Sequence, residues 1–235
     1  MPDKHFEFVG VDVYPEDVAL FEPGRWLNTP CVGFLLKLLE EKDFFVAGQG
    51  GRRILLLDPS VVSFLRFQLE SEEELDDFRE GNDIDGTEWI FLPVNNASSL
   101  LEAGSHWSLL AYHVNTSIGI HMDSMRGSND GPAKEILTKI NNTVSLKMRG
   151  EPQLLSLSPS VCPQQREGYN CGVYSALFAE SVARFVISRE PAEITNALFT
   201  ANDDLWKEIF AFVTPDTPEM VRNAALSRAR KLMRA

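Results

Sequence analysis

Three cysteines, Cys31, Cys162 and Cys171, and four histidines, His5, His106, His113 and His121, are the side chains of this sequence best suited to nucleophilic or acid–base chemistry near neutral pH. Cys171 differs from the other two thiols in its setting. It follows the polar loop Pro163-Gln-Gln-Arg-Glu-Gly-Tyr-Asn170, precedes Gly172, and opens an apolar run through Val173, Ala176, Leu177, Ala179, Val182 and Ala183 that reads as a helix. A thiol at a helix N-terminus meets the positive end of the helix dipole and unpaired N–H groups, and both favour the nucleophilic form. Gly172 would let a substrate carbonyl come close to the backbone. On local sequence alone Cys171 reads equally well as a buried structural cysteine, because free cysteine is among the most buried residue types. Cys31 lies among the apolar residues of an earlier helix and reads as structural, and Cys162, in a loop before Pro163, has no helix to activate it.

A thiol of this kind needs a base. His106 precedes Trp107-Ser-Leu-Leu at the start of a strand. If residues 106–114 and 117–123 form a hairpin turning at Asn115-Thr116, His106 falls opposite Met125, and Asp123 is its diagonal neighbour on the same face, about 7–8 Å away by Cα. A register shifted by two residues places His106 directly opposite Asp123. Either way the carboxylate can hold the imidazole in one tautomer. Taken alone, His106 reads more often as a structural histidine than as a base. His113 and His121 are strand residues with no comparable partner, and His5 sits near the N-terminus; these three read as structural or merely exposed. Gln164 and Gln165 lie in the loop before Cys171, where a side-chain amide could join the Cys171 backbone N–H in holding an oxyanion, or could simply face solvent.

The elements that must position these groups follow from periodicity and punctuation. Val9–Val13 and Val18–Phe21 read as extended. Thr29-Pro30 reads as an N-cap followed by proline at the first helical position, opening a largely buried helix to about Lys42. Ile54–Leu57 reads as a short strand, and Asp58-Pro59 repeats the helix start signal. The acidic run Glu70–Asp77 reads as a solvated helix face. Trp89–Val94, Trp107–Val114 and Ile118–Asp123 are strands, Ala133–Val144 an amphipathic helix, Leu154–Leu157 a further strand, and Cys171–Arg184 a long apolar helix. Two helices follow, near Asp203–Val213 and Pro218–Leu232. No repeat or long linker divides the chain, so one α+β domain spanning 1–235 is expected, with a core at about 11–187 and C-terminal helices at about 203–233 packed on it.

Composition narrows the partners. The 235 residues carry 22 Lys and Arg against 34 Asp and Glu, a net charge of -12, where a domain living on phosphate contacts has a basic excess. Nucleic acid is therefore not an expected partner. Three cysteines are too few to staple a chain of this length and suit a reducing compartment. The N-terminal residues lack a basic segment and an apolar core of the signal-peptide kind, and apolar stretches such as Cys31-Val-Gly-Phe-Leu-Leu36 are cut short by charge. A soluble protein of the cytoplasm or nucleus is expected, so the sequons at Asn96, Asn115 and Asn141 carry little weight. There is no His-Glu-x-x-His, no Gly-x-x-x-x-Gly-Lys-Ser/Thr and no Gly-x-Ser-x-Gly, and neither a metal nor a cofactor is expected.

His106-Trp107-Ser-Leu, Asp123-Ser124 and Gln165-x-x-x-x-x-Cys171-Gly172 resemble the catalytic signature of the Ulp/sentrin-specific cysteine proteases, which process ubiquitin-like modifiers. The order His, Asp, Gln, Cys is that clan's order, and Arg25-Trp26-Leu27-Asn28 resembles the family's Trp-Leu-Asn element. The stretches from Asp17 to Asn28 and from Gly104 to Tyr112 look most like the deneddylase branch. The resemblance implies a papain-like α+β protease core with a central mixed sheet flanked by helices. By position it implies His106 as base, Asp123 as its orienting acid, Cys171 as nucleophile and Gln165 as oxyanion donor. Trp26 and Trp107 would close over the modifier's Gly-Gly tail, with Asn28 beside them as a substrate contact. Two positions depart from the pattern: Thr29 stands where an acidic residue is common, and Asn170 where an aspartate is usual before the cysteine.

The activity so implied is acyl transfer through a Cys171 thioester, on the neddylation modifier or, as the alternative, on SUMO. The implied partners are that modifier and its conjugates, such as modified cullins, with the enzyme a monomer. Two readings of other classes compete, a catalytically silent binder of ubiquitin-like proteins and a same-clan acetyltransferase. The intact set of four residues argues against the first, and the acidic balance argues against the polyanionic cofactor of the second.

Overall fold

The structure is a computed structural model that describes residues 5–48, 54–144, 151–189, 194, 198–199 and 203–234. The chain begins with an antiparallel ribbon of β1 (Phe6–Phe8) and β2 (Val11–Val13). Val9 and Gly10 have φ of +49° and +80°, so they make the turn of this ribbon and Val9 is not part of the strand expected from its β-branched type. Val18–Phe21 is a second correction. Pro15–Leu20 forms a short helix, α1, with proline in its first turn and the Asp17 carboxylate accepting from the Tyr14 N–H at 2.9 Å.

The following helix, α2 (Thr29–Glu40), starts one residue earlier than expected. Asn28 is its N-cap, accepting from the Cys31 N–H at 3.2 Å, and its buried residues include Cys31, Val32, Phe34, Leu35, Leu36 and Leu39. A short α3 (Asp43–Gly48), not read from the sequence, follows it. A short strand, Ile54–Leu56, then leads into the helices α4 (Pro59–Gln68) and α5 (Glu72–Gly81), as the punctuation predicts. Asp58 caps α4 through the Ser60 N–H, and Ser71 with Glu74 forms a capping box on α5.

One mixed sheet carries the rest. Its spatial order is β3 (Ile54–Leu56), β4 (Trp89–Asn95), β5 (Trp107–His113), β6 (Ile118–Met122) and β7 (Gln153–Ser156). The β3–β4 and β6–β7 pairs are parallel, and β4, β5 and β6 are mutually antiparallel. Every residue of β4 and β5 is buried, because helices cover both faces. Trp89, Phe91, Leu109, Ala111, Ile120 and Met122 point into one core with α2 and the long helix α7 (Cys171–Ser188). Ile90, Leu92, Val94, Leu110 and Tyr112 point into the other with α4, α5 and α6 (Asp130–Val144). At roughly 1.5–3 kcal/mol for each large apolar side chain fully buried, this two-faced sheet is a rigid frame for whatever its strand ends carry.

Among the described residues α7 is the one helix long and apolar enough to cross a membrane, and 78% of it is buried within the fold, as suits a core helix. Two C-terminal helices, α8 (Asp203–Ile209) and α9 (Thr217–Leu232), add Trp206, Ile209, Ala225, Leu226 and Ala229 to the core shared by α2 and α7.

Candidate active site

The β5–β6 hairpin has the register read from the sequence, with Leu109 opposite Met122 and Tyr112 opposite Gly119. His106 therefore lies one residue before β5 and Asp123 one residue after β6, at the same end of the sheet. Their side chains, 4% and 3% exposed, meet with His106 Nε2 2.7 Å from Asp123 Oδ1. Asp123 is fixed from its far side as well: Oδ1 accepts from the Met125 N–H at 2.7 Å and Oδ2 from the Asn129 N–H at 2.9 Å. The segment delivering His106 is held by the Asn96 Oδ1, which accepts from the N–H groups of Ser105 at 2.7 Å and His106 at 3.0 Å. Gly104, at φ +62°, has to be glycine, because a Cβ there would stand 1.9 Å from Asn95 Oδ1.

These contacts set the protonation of the pair. Burial alone disfavours a charged ring at His106, but the hydrogen bond to Asp123, then the Cys171 thiol, outweigh it and raise the His106 pKa to about 9. Burial likewise works against an ionised Asp123, and the His106 contact with the Met125 and Asn129 N–H groups overcomes it and holds the carboxyl below its ordinary range. Nδ1 of His106 is buried without a close hydrogen bond. The Cys171 thiol contributes to the rise of the His106 pKa.

Cys171 is the first residue of α7 and is 2% exposed. Gly172 behind it packs closely: an added Cβ would lie 3.0 Å from Val32 Cγ2 and 3.1 Å from Leu27 Cβ. The N-cap residue Asn170 makes no side-chain bond to the first turn of α7, so its own side chain leaves those N–H groups open. Gln165 is anchored by its own N–H to the Ser124 carbonyl at 3.0 Å and by its Oε1, which accepts from Ser124 Oγ at 2.8 Å. Its Nε2 donates to the Glu167 carbonyl at 2.8 Å, which engages one of its two amide hydrogens and leaves the other for an oxyanion. Gln164 is structural, binding the Asp123 and Cys162 carbonyls through Nε2 and the Arg126 N–H through Oε1. Burial pushes the Cys31 thiol up to about 12 and that of Cys162 up as well, so neither is poised as a nucleophile.

The two tryptophans differ. Trp26 is 55% exposed, with its indole N–H donating to the Gly168 carbonyl at 2.7 Å, close along the chain to Cys171. Trp107 is buried and ties its N–H to the Leu27 carbonyl at 2.8 Å. Asn28 has both ends of its amide engaged, Nδ2 with Asp17 Oδ1 at 2.6 Å and Oδ1 with the α2 start, so its visible work is to set the Trp26-Leu27 segment. Trp26→Ala is expected to lower turnover of a Gly-Gly-tailed substrate by about 30-fold, the scale of an aromatic hot spot, while costing about 1 kcal/mol of stability for a largely exposed ring and one hydrogen bond. Kinetics beside thermal unfolding checks this; unfolding of the variant with no separate kinetic defect would return Trp26 to a structural role.

Two histidines are better partnered than their strand positions suggested. His121 Nδ1 lies 2.7 Å from Asp130 Oδ1 and Nε2 2.8 Å from Ser108 Oγ, and burial lowers its pKa in spite of Asp130. His113 Nδ1 lies 2.9 Å from Thr116 Oγ1. Asn129 joins these groups, its Nδ2 reaching Ser108 Oγ, the Val94 carbonyl and the His106 carbonyl while its N–H holds Asp123. Sequence reasoning missed Asn129 and Asp130, whose only signal is their place at the start of a helix that follows the strand.

The family model for the Ulp1 protease family, C-terminal catalytic domain, matches residues 25–210 of this chain. The chain belongs to the Ulp1 protease family. It is a cysteine protease of that family. Among curated relatives, the sentrin-specific protease 8 of Rattus norvegicus is 27% identical over 199 residues, covering 83% of this chain and 88% of that one. The NEDD8-specific protease 1 of Arabidopsis thaliana is 25% identical over 233 residues, covering 98% and 94%. Among solved structures, the C-terminal Ulp1 protease domain in complex with Smt3, the yeast ortholog of SUMO, superposes with a TM-score of 0.57 at 19% identity, covering 94% of this chain and 87% of that one. The Ulp1-type fold expected from the motif resemblance is thus the fold observed.

Proposed function

We propose that this Ulp1-family protease is a deneddylase, cutting after the C-terminal Gly-Gly of the neddylation modifier in its precursor and its conjugates. The observation that carries the reading is the Asp123–His106 couple set beside Cys171 at the open start of α7, in a chain whose relatives include proteins named for NEDD8. Cys171 attacks the carbonyl of the terminal glycine, and the tetrahedral oxyanion takes hydrogen bonds from the first-turn N–H groups and the spare Gln165 amide hydrogen. His106, cationic through neutral pH, protonates the departing amine; water then cleaves the thioester with His106 as base, releasing the modifier's carboxylate and the thiol. Asp123 keeps the imidazole oriented and its positive charge compensated. The exposed Trp26 is placed to cover a tail without side chains.

The net charge of -12 supports the choice of modifier, because the neddylation modifier's tail carries an arginine before Gly-Gly and SUMO tails have no cation there. Modified cullins are the expected conjugates, the enzyme acts as a monomer, and its three free thiols suit the cytoplasm or nucleus. Cleavage of linear fusions of the neddylation modifier, SUMO and ubiquitin, each at low and moderate salt, tests the preference. The neddylation fusion is expected to be cut fastest at both. Faster cleavage of the SUMO fusion at both overturns the deneddylase reading and leaves the protease standing.

A further inference from the structure

The family match ends at residue 210, yet two residues beyond it, on α9, reach back to the loop that presents Cys171. Arg222 is fully buried at 0% exposure, and its guanidinium binds two distant stretches of chain. Nη1 donates to the carbonyls of Leu20 at 2.7 Å and Glu22 at 3.3 Å, Nη2 to the carbonyl of Tyr169 at 3.2 Å, and Nε to the side-chain oxygen of Asn170 at 2.8 Å. Glu219, one turn earlier, accepts from Asn170 Nδ2 at 2.9 Å and from the Tyr169 hydroxyl at 3.0 Å. Glu167 Oε1 accepts from the same Asn170 amide at 2.8 Å.

Asparagine is among the strongest N-caps, its oxygen normally accepting from the N–H of the second or third helical residue. Asn170 occupies the N-cap position of α7 and does not do this. Its oxygen is taken by Arg222 and its amide by Glu219 and Glu167. The Asn170 backbone, at φ −93° and ψ +8°, is also held out of the extended form from which a capping side chain reaches the first turn; with Arg222 gone from both the side chain and the neighbouring Tyr169 carbonyl, the residue is free to swing into that form and close on the N–H of Gly172 or Val173.

We propose that Arg222 and Glu219 are positioning residues for the nucleophile, holding the Asn170 side chain off the start of α7 so that its first-turn N–H groups stay open to the reacting carbonyl. The proposal rests on the reading of Cys171 as the nucleophile. It extends the catalytic machinery into a helix outside the matched catalytic domain.

The test is a double-mutant comparison in the full chain. Arg222→Met is expected to lower kcat on a modifier fusion on the order of a hundredfold, the scale of losing an oxyanion donor, with KM little changed because ground-state docking is untouched. Adding Asn170→Ala removes the side chain that would cap the helix and is expected to recover most of the lost kcat, although it removes a further set of hydrogen bonds. A residue that merely holds the loop together predicts the reverse, a double variant as slow as Arg222→Met or slower, and that result overturns the proposal. If Arg222→Met fails to fold, Glu219→Leu with and without Asn170→Ala makes the same comparison from a half-buried position. Iodoacetamide labelling of Cys171, located by peptide mass, supplies a readout that needs no modifier. It should slow in the single variant and recover in the double. Failure of the wild type to cut any modifier would count against the proposed function, while the labelling series would still decide this one.

Discussion

Cys171→Ala will abolish cleavage of a Gly-Gly-tailed modifier and leave its binding unchanged. Cys171 opens α7 and acts on the His106 pKa; burial holds Cys31 and Cys162 toward the neutral form. Removing the nucleophile from a set that works as a unit costs about 10⁵–10⁶ in kcat. The thiol is only 2% exposed and contributes almost nothing to a docking surface, so the affinity measured by titration with intact modifier stays within about threefold of wild type, the range of a substitution away from an interface anchor. An active Cys171→Ala together with an inactive Cys162→Ala would move the chemistry to the other thiol.

His106→Ala should be comparably inactive, a loss of about 10⁴–10⁶ in kcat, and the wild-type pH profile shows why. Because the folded His106 pKa is raised to about 9, the imidazolium is present through neutral pH and disappears as pH rises through that value. The acid that protonates the leaving amine disappears with it, so kcat/KM should fall on an alkaline limb near pH 9. By the same linkage, the stability this pair adds is fully present below the unfolded histidine value of about 6.5 and is lost as pH rises through about 9. Asp123→Asn removes the main group that raises the ring's pKa, so its limb should move toward about 6.5, with residual activity because the base survives. A limb unmoved by Asp123→Asn would separate the carboxylate from the titration and contradict the assignment.

The parts of this site that periodicity controls were legible in the sequence. A hairpin centred on Asn115-Thr116 fixes which residues share a face, and so brings His106 and Asp123 together. An apolar run after a polar loop likewise fixes where α7 begins, and so where Cys171 stands. What escaped are contacts between a side chain and a remote backbone, which have no period. Arg222 meets Asn170 across about fifty residues, Asn129 meets both Asp123 and Ser108, and Asn96 holds the His106 segment. The short α1 was hidden by the β-preferring Val18 at its centre, although Tyr14-Pro15-Glu16-Asp17 carried the proline and first-turn acids of a helix start. Asn28, read from its motif as a substrate contact, has its amide engaged by Asp17 and the start of α2, bonds that no periodicity announces.

Covalent capture shows whether Cys171 is the acylated thiol of a protease selective for the neddylation modifier. Equal concentrations of the neddylation modifier, SUMO and ubiquitin, each bearing a C-terminal vinyl sulfone, are incubated with the full chain, and the product is read by intact mass and peptide mapping. One modifier per chain is expected, attached at Cys171, formed fastest with the neddylation modifier and much more slowly in His106→Ala. An adduct on Cys162 or Cys31, or no adduct with any of the three modifiers, would contradict this assignment.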